Sequence, residues 1–126
     1  MESTKNSNQH ESSLLQNRLL SDARVKSGVD LIAEERQRQI ESEGYTPEED
    51  LNYVKGELAD AAACYASLTV RDHPLSFKLP NTWPWNRDSW KPVPNDRVRE
   101  LVKAGALIAA EIDRLNSAHL INEASK

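Results

Sequence analysis

Apolar residues recur with helical spacing through the middle of the chain. In residues 46–68 they return every three or four positions, which places them on one helix face: Leu51, Val54, Leu58, Ala61, Tyr65 and Leu68. Thr46 suits the N-cap, Pro47 suits the first helical position, and Glu49 completes a capping box with Thr46. The pattern therefore predicts one helix near residues 47–69.

Two further helices flank it. Residues 29–43 form the first, and Gly44 suits the position just after its end. Its predicted inner side consists of Val29, Ile32, Ala33, Arg36 and Ile40. The short link through Tyr45 predicts an antiparallel pair with the helix at 47–69. The last helix is capped by Asn95 or Asp96 and runs to about His119. Its predicted inner face is Val98, Leu101, Val102, Gly105, Ile108, Ala109, Ile112 and Leu115.

Residues 75–94 break the helical pattern. They contain four of the six prolines and all three tryptophans of the chain. Proline removes backbone donors and blocks regular structure, so this segment is a long loop. Because disordered segments are poor in aromatic residues, we expect the loop to be ordered and folded over the helices.

These patterns predict an all-α protein: a compact bundle of three main helices with a Trp/Pro-rich crossover loop. The polar residues 1–27 are predicted to be a flexible segment with room for one short helix, residues 28–120 a single helical domain, and residues 121–126 a C-terminal tail. Gly105 and Ala109, four residues apart, permit close approach of another helix. The small-residue faces predict a homo-oligomer.

Composition narrows the classes of function. The 126 residues are 38% hydrophobic and carry a net charge of −4, which disfavours binding of nucleic acid by bulk charge. Cys64 is the only cysteine, so no internal disulfide is expected and a reducing compartment fits the sequence. The Cys64 side chain is predicted to be buried as a small hydrophobic residue. No apolar run approaches membrane-spanning length and the N-terminus lacks a signal-peptide core, so no membrane partner is expected and the predicted location is the cytoplasm.

The tryptophan loop is the first candidate site. Its indole rings are suited to stack on a base-like ring, and nearby cations are suited to contact phosphates. The predicted ligand-binding residues are Trp83, Trp85, Trp90, Arg87, Lys91, Arg97 and Arg99. The alternative is that the tryptophans cap the helical core, and for at least one of them we expect this.

Four carboxylates are the second candidate site. Glu34 and Glu35 precede Glu57 and Asp60, which are spaced i,i+3. Facing carboxylates can hold Mg²⁺. The spacing partly resembles the MazG-like all-α NTP pyrophosphohydrolases, whose motif is EExxE on one helix and ExxD on the next. Arg38 stands at the third glutamate position, which removes one ligand that the resemblance implies. The alternative is solvated helix faces.

Residues 35–115 resemble a family of small bacteriophage and prophage proteins. The matching stretches are ERQRQIESEGYTPEED, GELADAAACYA, WPW, WKP and LVKAGALIAAEIDRL. The resemblance implies a phage origin and action in the cytoplasm of the bacterial host.

Three hypotheses about function follow. The first is a non-catalytic protein without a cofactor that binds a nucleotide-derived ligand, as a sponge that sequesters a host immune signalling nucleotide. The second is a Mg²⁺-dependent MazG-like (d)NTP pyrophosphohydrolase, in which Glu34, Glu35, Glu57 and Asp60 are the catalytic and metal-binding residues. The third is a protein-interaction inhibitor of a host factor.

Overall fold

The computed structural model describes residues 13–14, 25–68, 70 and 78–125. In the described part of residues 25–125, four α-helices and one 3-10 turn follow one another in the order α1 (Gly28–Ser42), α2 (Pro47–Asp50), α3 (Glu57–Ala66), the turn Arg87–Ser89, and α4 (Arg97–Ser125). Within these residues there is no strand, and the three main helices pack together. The prediction of an all-α bundle is confirmed.

The chain divides into two compact units, residues 1–31 and 32–126. In the first unit Ser27 begins α1. Its hydroxyl accepts a hydrogen bond from the N–H of Asp30 at 3.2 Å, and its carbonyl accepts one from the N–H of Leu31 at 3.0 Å. Of the predicted flexible segment 1–27, the structure describes residues 13–14 and 25–27. The prediction of one short helix in this segment therefore lies mostly outside the described residues.

The end of α1 agrees with the sequence, but its buried face does so only in part. Gly44 has a φ of +75°, a conformation that favours glycine, and the N–H of Tyr45 donates to the Gln39 carbonyl at 3.0 Å. The predicted inner side is right only in part: Ile32, Arg36 and Ile40 are half-buried, but Val29 and Ala33 are exposed. The side chains that are fully buried are Glu35 and Gln39. These two polar side chains are buried together, and the amide of Gln39 donates to the Glu35 carboxylate at 3.2 Å.

The predicted helix at 47–69 is in fact two helices. The Thr46 hydroxyl caps α2 as predicted, accepting from the N–H of Glu49 at 3.2 Å. The chain then leaves the helical path after Asp50. Gly56 has a φ of +83°, which is incompatible with a continuous right-handed helix, and it becomes the N-cap of α3. Val54 and Leu68, predicted to face inward, are exposed as a result.

The core lies between α3 and α4. Its buried side chains from these two helices include Leu58, Ala61, Ala62, Cys64, Tyr65, Ala104, Leu107 and Ala110. The alanines keep both helices thin, which lets their backbones approach closely. Cys64 is buried, as expected, with its Sγ 3.3 Å from Thr82 Oγ1. The antiparallel pairing predicted for the first two helices is therefore not the main contact, because α3 packs along α4 instead.

Helix α4 differs from the prediction in length and in its buried face. It continues to Ser125, so residues 121–125 are helical and not a tail. Val102 faces the core as predicted, but Leu101 and Ile108 are exposed, and the buried face includes Glu100 and Lys103. Gly105 does permit a close approach: a Cβ atom there would lie 2.5 Å from Cδ1 of Ile32 on α1.

In the part of the chain that the structure describes, no helix is both long and apolar enough to cross a bilayer.

Candidate functional site

All three tryptophans belong to one aromatic cluster built around Tyr65 of α3. The ring of Trp90 stacks on Tyr65 with centroids 4.8 Å apart, and Trp83 meets Tyr65 edge-on at 5.6 Å. Trp85 contacts Trp83 at 5.5 Å and Tyr53 at 5.1 Å. Aromatic pairs of this kind contribute about 0.5–1.5 kcal/mol each beyond their buried area. The described part of the loop, residues 78–94, is therefore held in place by its own tryptophans, and Trp83 and Trp90 cap the core. Residues 75–77 of the predicted loop lie outside the described residues.

Hydrogen bonds fix the turn that carries these rings. The indole N–H of Trp83 donates to the Asn86 carbonyl and to Ser89 Oγ, each at 3.2 Å. The N–H of Lys91 donates to the hydroxyl of Tyr65 at 3.1 Å. Burial raises the pKa of that hydroxyl well above its ordinary value, so Tyr65 stays neutral and ties the loop to α3.

Trp83 and Trp85 differ in one testable respect. Among the described residues, the buried indole nitrogen of Trp85 has no hydrogen-bond partner, whereas that of Trp83 has two acceptors. Trp83→Phe should lower the free energy of unfolding by about 2 kcal/mol, because it removes both hydrogen bonds of the indole nitrogen and reduces packing. Trp85→Phe should lower it by less than about 1 kcal/mol, because it removes an unsatisfied donor. Chemical denaturation measures both, and equal losses would contradict this assignment.

Three of the four predicted phosphate-binding cations are bound to groups of the same chain. The guanidinium of Arg97 donates to the carbonyls of Tyr65 and Ala66 at the C-terminal end of α3. Arg99 forms an ion pair with Glu35 at 2.7 Å, and the amine of Lys91 pairs with Glu43 at 3.0 Å. These three cations stabilise the fold, and contacts to a ligand would compete with their present partners.

Arg87 is the exception among the predicted cations. Its side chain is exposed and has no ion-pair partner among the described residues. The backbone around it is fixed, because Asn86 caps the 3-10 turn by accepting from the N–H of Asp88 at 3.3 Å. Arg87 is therefore a cation on an ordered turn whose guanidinium remains available for an anion.

An open cavity of about 720 Å³ lies beside this turn. Trp83, Trp90 and Pro92 contribute its apolar wall, and Arg87, Lys78 and Asn81 contribute polar groups. Trp83 and Trp90 are each only 8% exposed, so they offer ring edges and not whole stacking faces. The structure thus brings together three predicted ligand residues, Trp83, Trp90 and Arg87. It does not add Trp85, Lys91, Arg97 or Arg99 to this cavity.

A second cavity, of about 20 Å³, is also lined by Trp83. Its volume matches about one water molecule. Gln39 and Trp85 both line it, and Gln39 Oε1 and Trp85 Nε1 have no hydrogen-bond partner among the described residues. Lys103 also lines it; its amine donates to the Lys91 carbonyl at 2.9 Å, and burial lowers its pKa. This cavity is too small for a nucleotide ring.

The four candidate metal ligands do not form one group. Glu35 is buried and accepts hydrogen bonds from Arg38 at 2.7 and 2.8 Å, while Glu34 is exposed one residue earlier. Glu57 accepts from the backbone N–H of Lys55 at 2.6 Å, and Asp60 is exposed. Among the residues that the structure describes, no three His, Cys, Asp or Glu side chains are arranged to hold a metal ion.

Arg38 explains why Glu35 is buried as a carboxylate. Burial alone would raise the pKa of Glu35, but hydrogen bonds from Arg38 and Arg99 outweigh burial and hold the pKa below its ordinary value. The residue that departs from the EExxE motif is thus the structural partner of the second glutamate. The ion pair between Glu35 and Arg99 links α1 to α4.

Sequence reasoning missed several residues of the site. Lys78 and Asn81 line the larger cavity, and both flank Pro80 in the loop already recognised as unusual. Their position beside the tryptophans was the available signal. Gln39 and Lys103 line the smaller cavity, and no sequence pattern marks a buried glutamine or lysine.

Comparisons of this chain with family models, with curated proteins and with solved structures find no match.

Proposed function

We propose that the protein binds a phosphorylated, ring-containing ligand of the nucleotide class in the larger cavity and releases it chemically unchanged. The observation that carries this proposal is the combination of an aromatic and proline wall with the available guanidinium of Arg87. Arginine presents several donors in a planar fork that matches phosphate oxygens. A cavity of about 720 Å³ falls within the range of about 300–1,000 Å³ that is typical of small-molecule sites.

The geometry supports a revised role for the tryptophans. Because most of the surface of Trp83 and Trp90 is covered, the ligand ring would contact their edges and the neighbouring Pro92. The affinity would then come from apolar contact and from the Arg87–phosphate interaction more than from full ring stacking. The tight packing of the tryptophans also means that the wall is formed before the ligand arrives, which reduces the ordering cost of binding.

The side chains around the cavity favour binding over catalysis. A general base or nucleophile must lie within hydrogen-bond reach of the reacting atom. The described residues that line the cavity include no acid, histidine, cysteine or serine. Glu35, the most buried of the alternative catalytic residues, is already held by two arginines. These observations support release of an unaltered ligand.

The resemblance to phage proteins supports a narrower proposal. A small phage protein that binds a nucleotide without converting it is suited to sequester a host immune signalling nucleotide in the cytoplasm of the host. Cyclic dinucleotides and ADP-ribose derivatives are the classes to test first, because each combines phosphates with a base ring.

Calorimetric titration with cyclic dinucleotides and with ADP-ribose tests the proposal. We expect one of them to bind, and Arg87→Ala to weaken binding by about 10- to 100-fold, the loss of about 1.5–3 kcal/mol for a charged hydrogen bond. Lys55→Ala is the matched control: it also removes an exposed cation, at a position that does not line the cavity. Equal weakening by both variants would indicate non-specific attraction and contradict the proposed site.

A further inference from the structure

The smaller cavity brings together a buried acceptor and a buried donor that the chain does not pair with each other. Gln39 is 3% exposed, and its Oε1 has no hydrogen-bond partner among the described residues. The indole nitrogen of Trp85 is buried as well and has no partner among the same residues. Both side chains line the cavity of about 20 Å³. Because unpaired polar groups are unfavourable in the interior, this pair of atoms indicates a bridging molecule.

The orientation of the Gln39 amide is set by its neighbour on α1. Its Nε2 donates to the Glu35 carboxylate at 3.2 Å. A rotated amide would place its oxygen against that carboxylate, and two acceptors repel each other. The bound molecule must therefore donate to Gln39 and accept from Trp85.

The charges around the cavity favour a neutral molecule. Arg38 forms ion pairs with Glu35 at 2.7 Å and with Glu43 at 3.2 Å, and all three residues line the cavity. An anion would face these carboxylates and Gln39 Oε1, whereas a metal cation would face Arg38 and the amine of Lys103. A small neutral molecule that both donates and accepts hydrogen bonds fits this lining better than either ion.

We propose that one water molecule is an integral part of this fold, bound in the smaller cavity between Gln39 and Trp85. The volume of about 20 Å³ exceeds the roughly 10–15 Å³ that one water needs. The water donates to Gln39 Oε1 and accepts from the indole N–H of Trp85. Lys103 supplies a third contact, because its amine has further donors beside the one that binds the Lys91 carbonyl. Buried waters typically make about three hydrogen bonds.

The water links three separate segments of the chain. Gln39 lies on α1, Lys103 lies on α4, and Trp85 lies in the loop between α3 and α4. Trp85 meets Trp83 edge-on at 5.5 Å, and Trp83 forms part of the wall of the larger cavity. The water therefore holds in place the ring behind that wall. This role does not depend on the proposed ligand.

A high-resolution crystal structure of the full-length protein tests the site directly. We expect one water oxygen at about 2.7–3.2 Å from both Gln39 Oε1 and Trp85 Nε1. Crystals grown in bromide distinguish a halide from a water, because bromide gives an anomalous signal and water does not. A bromide peak at the site, a direct hydrogen bond between Gln39 and Trp85, or no density between them would overturn the proposal.

A double-mutant cycle tests the bridge in solution. Gln39→Met removes the acceptor and Trp85→Phe removes the donor. We expect Trp85→Phe to cost less stability in the Gln39→Met background than in the wild type, with a coupling of about threefold or more in the equilibrium constant of unfolding. This agrees with the small loss expected for Trp85→Phe alone, because phenylalanine has no donor that needs the water.

The cycle of Gln39→Met with Trp83→Phe is the matched control. Trp83 also lines the smaller cavity, but its indole nitrogen donates to Asn86 and Ser89, so this cycle reports packing without the water. The hydrogen bond to Glu35 that Gln39→Met removes is lost in both cycles and cancels. We expect a smaller coupling than in the cycle with Trp85. Equal coupling in the two cycles would indicate ordinary packing and overturn the water bridge.

Discussion

Leu58→Asp is expected to unfold the protein. Leu58 is 1% exposed in the core between α3 and α4, and it is among the largest fully buried side chains. An aspartate there would be an unpaired charge in an apolar environment, whose cost of several kcal/mol is comparable to the whole stability of a small domain. Circular dichroism should show the loss of most helical signal at room temperature.

Ala59→Asp is the control for that substitution. Ala59 is the next residue of the same helix and is exposed, so the same new side chain meets water. We expect a loss of about 0.7 kcal/mol or less, the difference in helix propensity between alanine and aspartate. A stable, fully helical Leu58→Asp variant would show that the packing of α3 against α4 is wrong.

Glu35→Ala is expected to have the second largest effect. Glu35 is 2% exposed, and its carboxylate pairs with both Arg38 and Arg99 at 2.7 Å. Removing one partner of a buried ion pair typically costs about 3–5 kcal/mol, because the remaining charge is left uncompensated. The arginines are one third or more exposed and can recover some hydration, so we expect the lower end of that range. Glu34→Ala, at the exposed neighbouring position, should change the free energy of unfolding by less than about 0.5 kcal/mol.

The pH dependence of stability gives a second readout of the same group. Because the pKa of Glu35 is lower in the folded protein than its ordinary value of 4.5, folding favours the ionised form. Its contribution is fully present above about pH 4.5 and is lost as the pH falls through the folded-state pKa. The wild-type protein should therefore lose stability more steeply than Glu35→Gln below that pH. Parallel profiles would indicate that the ion pair contributes nothing.

The start of α2 and the end of α1 were predicted correctly, whereas the continuity of the helix at 47–69 was not. Thr46 and Gly44 carry local signals, a capping hydroxyl and a residue that accepts positive φ, and both act as expected. The break at Gly56 was missed because the apolar spacing continues across it. Tyr53, which packs against Trp85, lies in this break, so a contact with the distant loop accompanies the change of path. Periodicity within 47–69 cannot report such a contact.

The buried face of α4 was predicted wrongly for a related reason. Its exposed side carries larger apolar residues than the face that packs on α3, where alanines alternate with Glu100 and Lys103. The exposed residues are Val98, Leu101, Ile108, Ile112 and Leu115. The N–H of Val93 donates to Glu100 at 2.9 Å, and Lys103 donates to the Lys91 carbonyl, so both polar ends are satisfied inside the fold. An apolar pattern shows that a helix has an apolar face. It does not show whether that face packs against the rest of the chain or is exposed to solvent.

The candidate site was predictable in kind but not in detail. A proline-rich segment that concentrates the tryptophans indicated an ordered loop, and the cavity lies there. Which cations remain available was not predictable, because Arg97 and Arg99 bind groups far away in sequence: the end of α3 and Glu35 of α1. Arg87 differs from them only in its tertiary surroundings.

The central claim is that a nucleotide-class ligand binds in the larger cavity. A nuclear magnetic resonance titration that follows the indole N–H signals of the three tryptophans tests this claim most directly. Trp83 and Trp90 line the larger cavity, whereas Trp85 lines the smaller of the two described cavities and serves as an internal control. With ADP-ribose or a cyclic dinucleotide as the probe, we expect saturable shifts of the Trp83 and Trp90 signals that exceed the shift of Trp85. No shift with any probe, or a shift of Trp85 alone, would contradict nucleotide binding in this cavity.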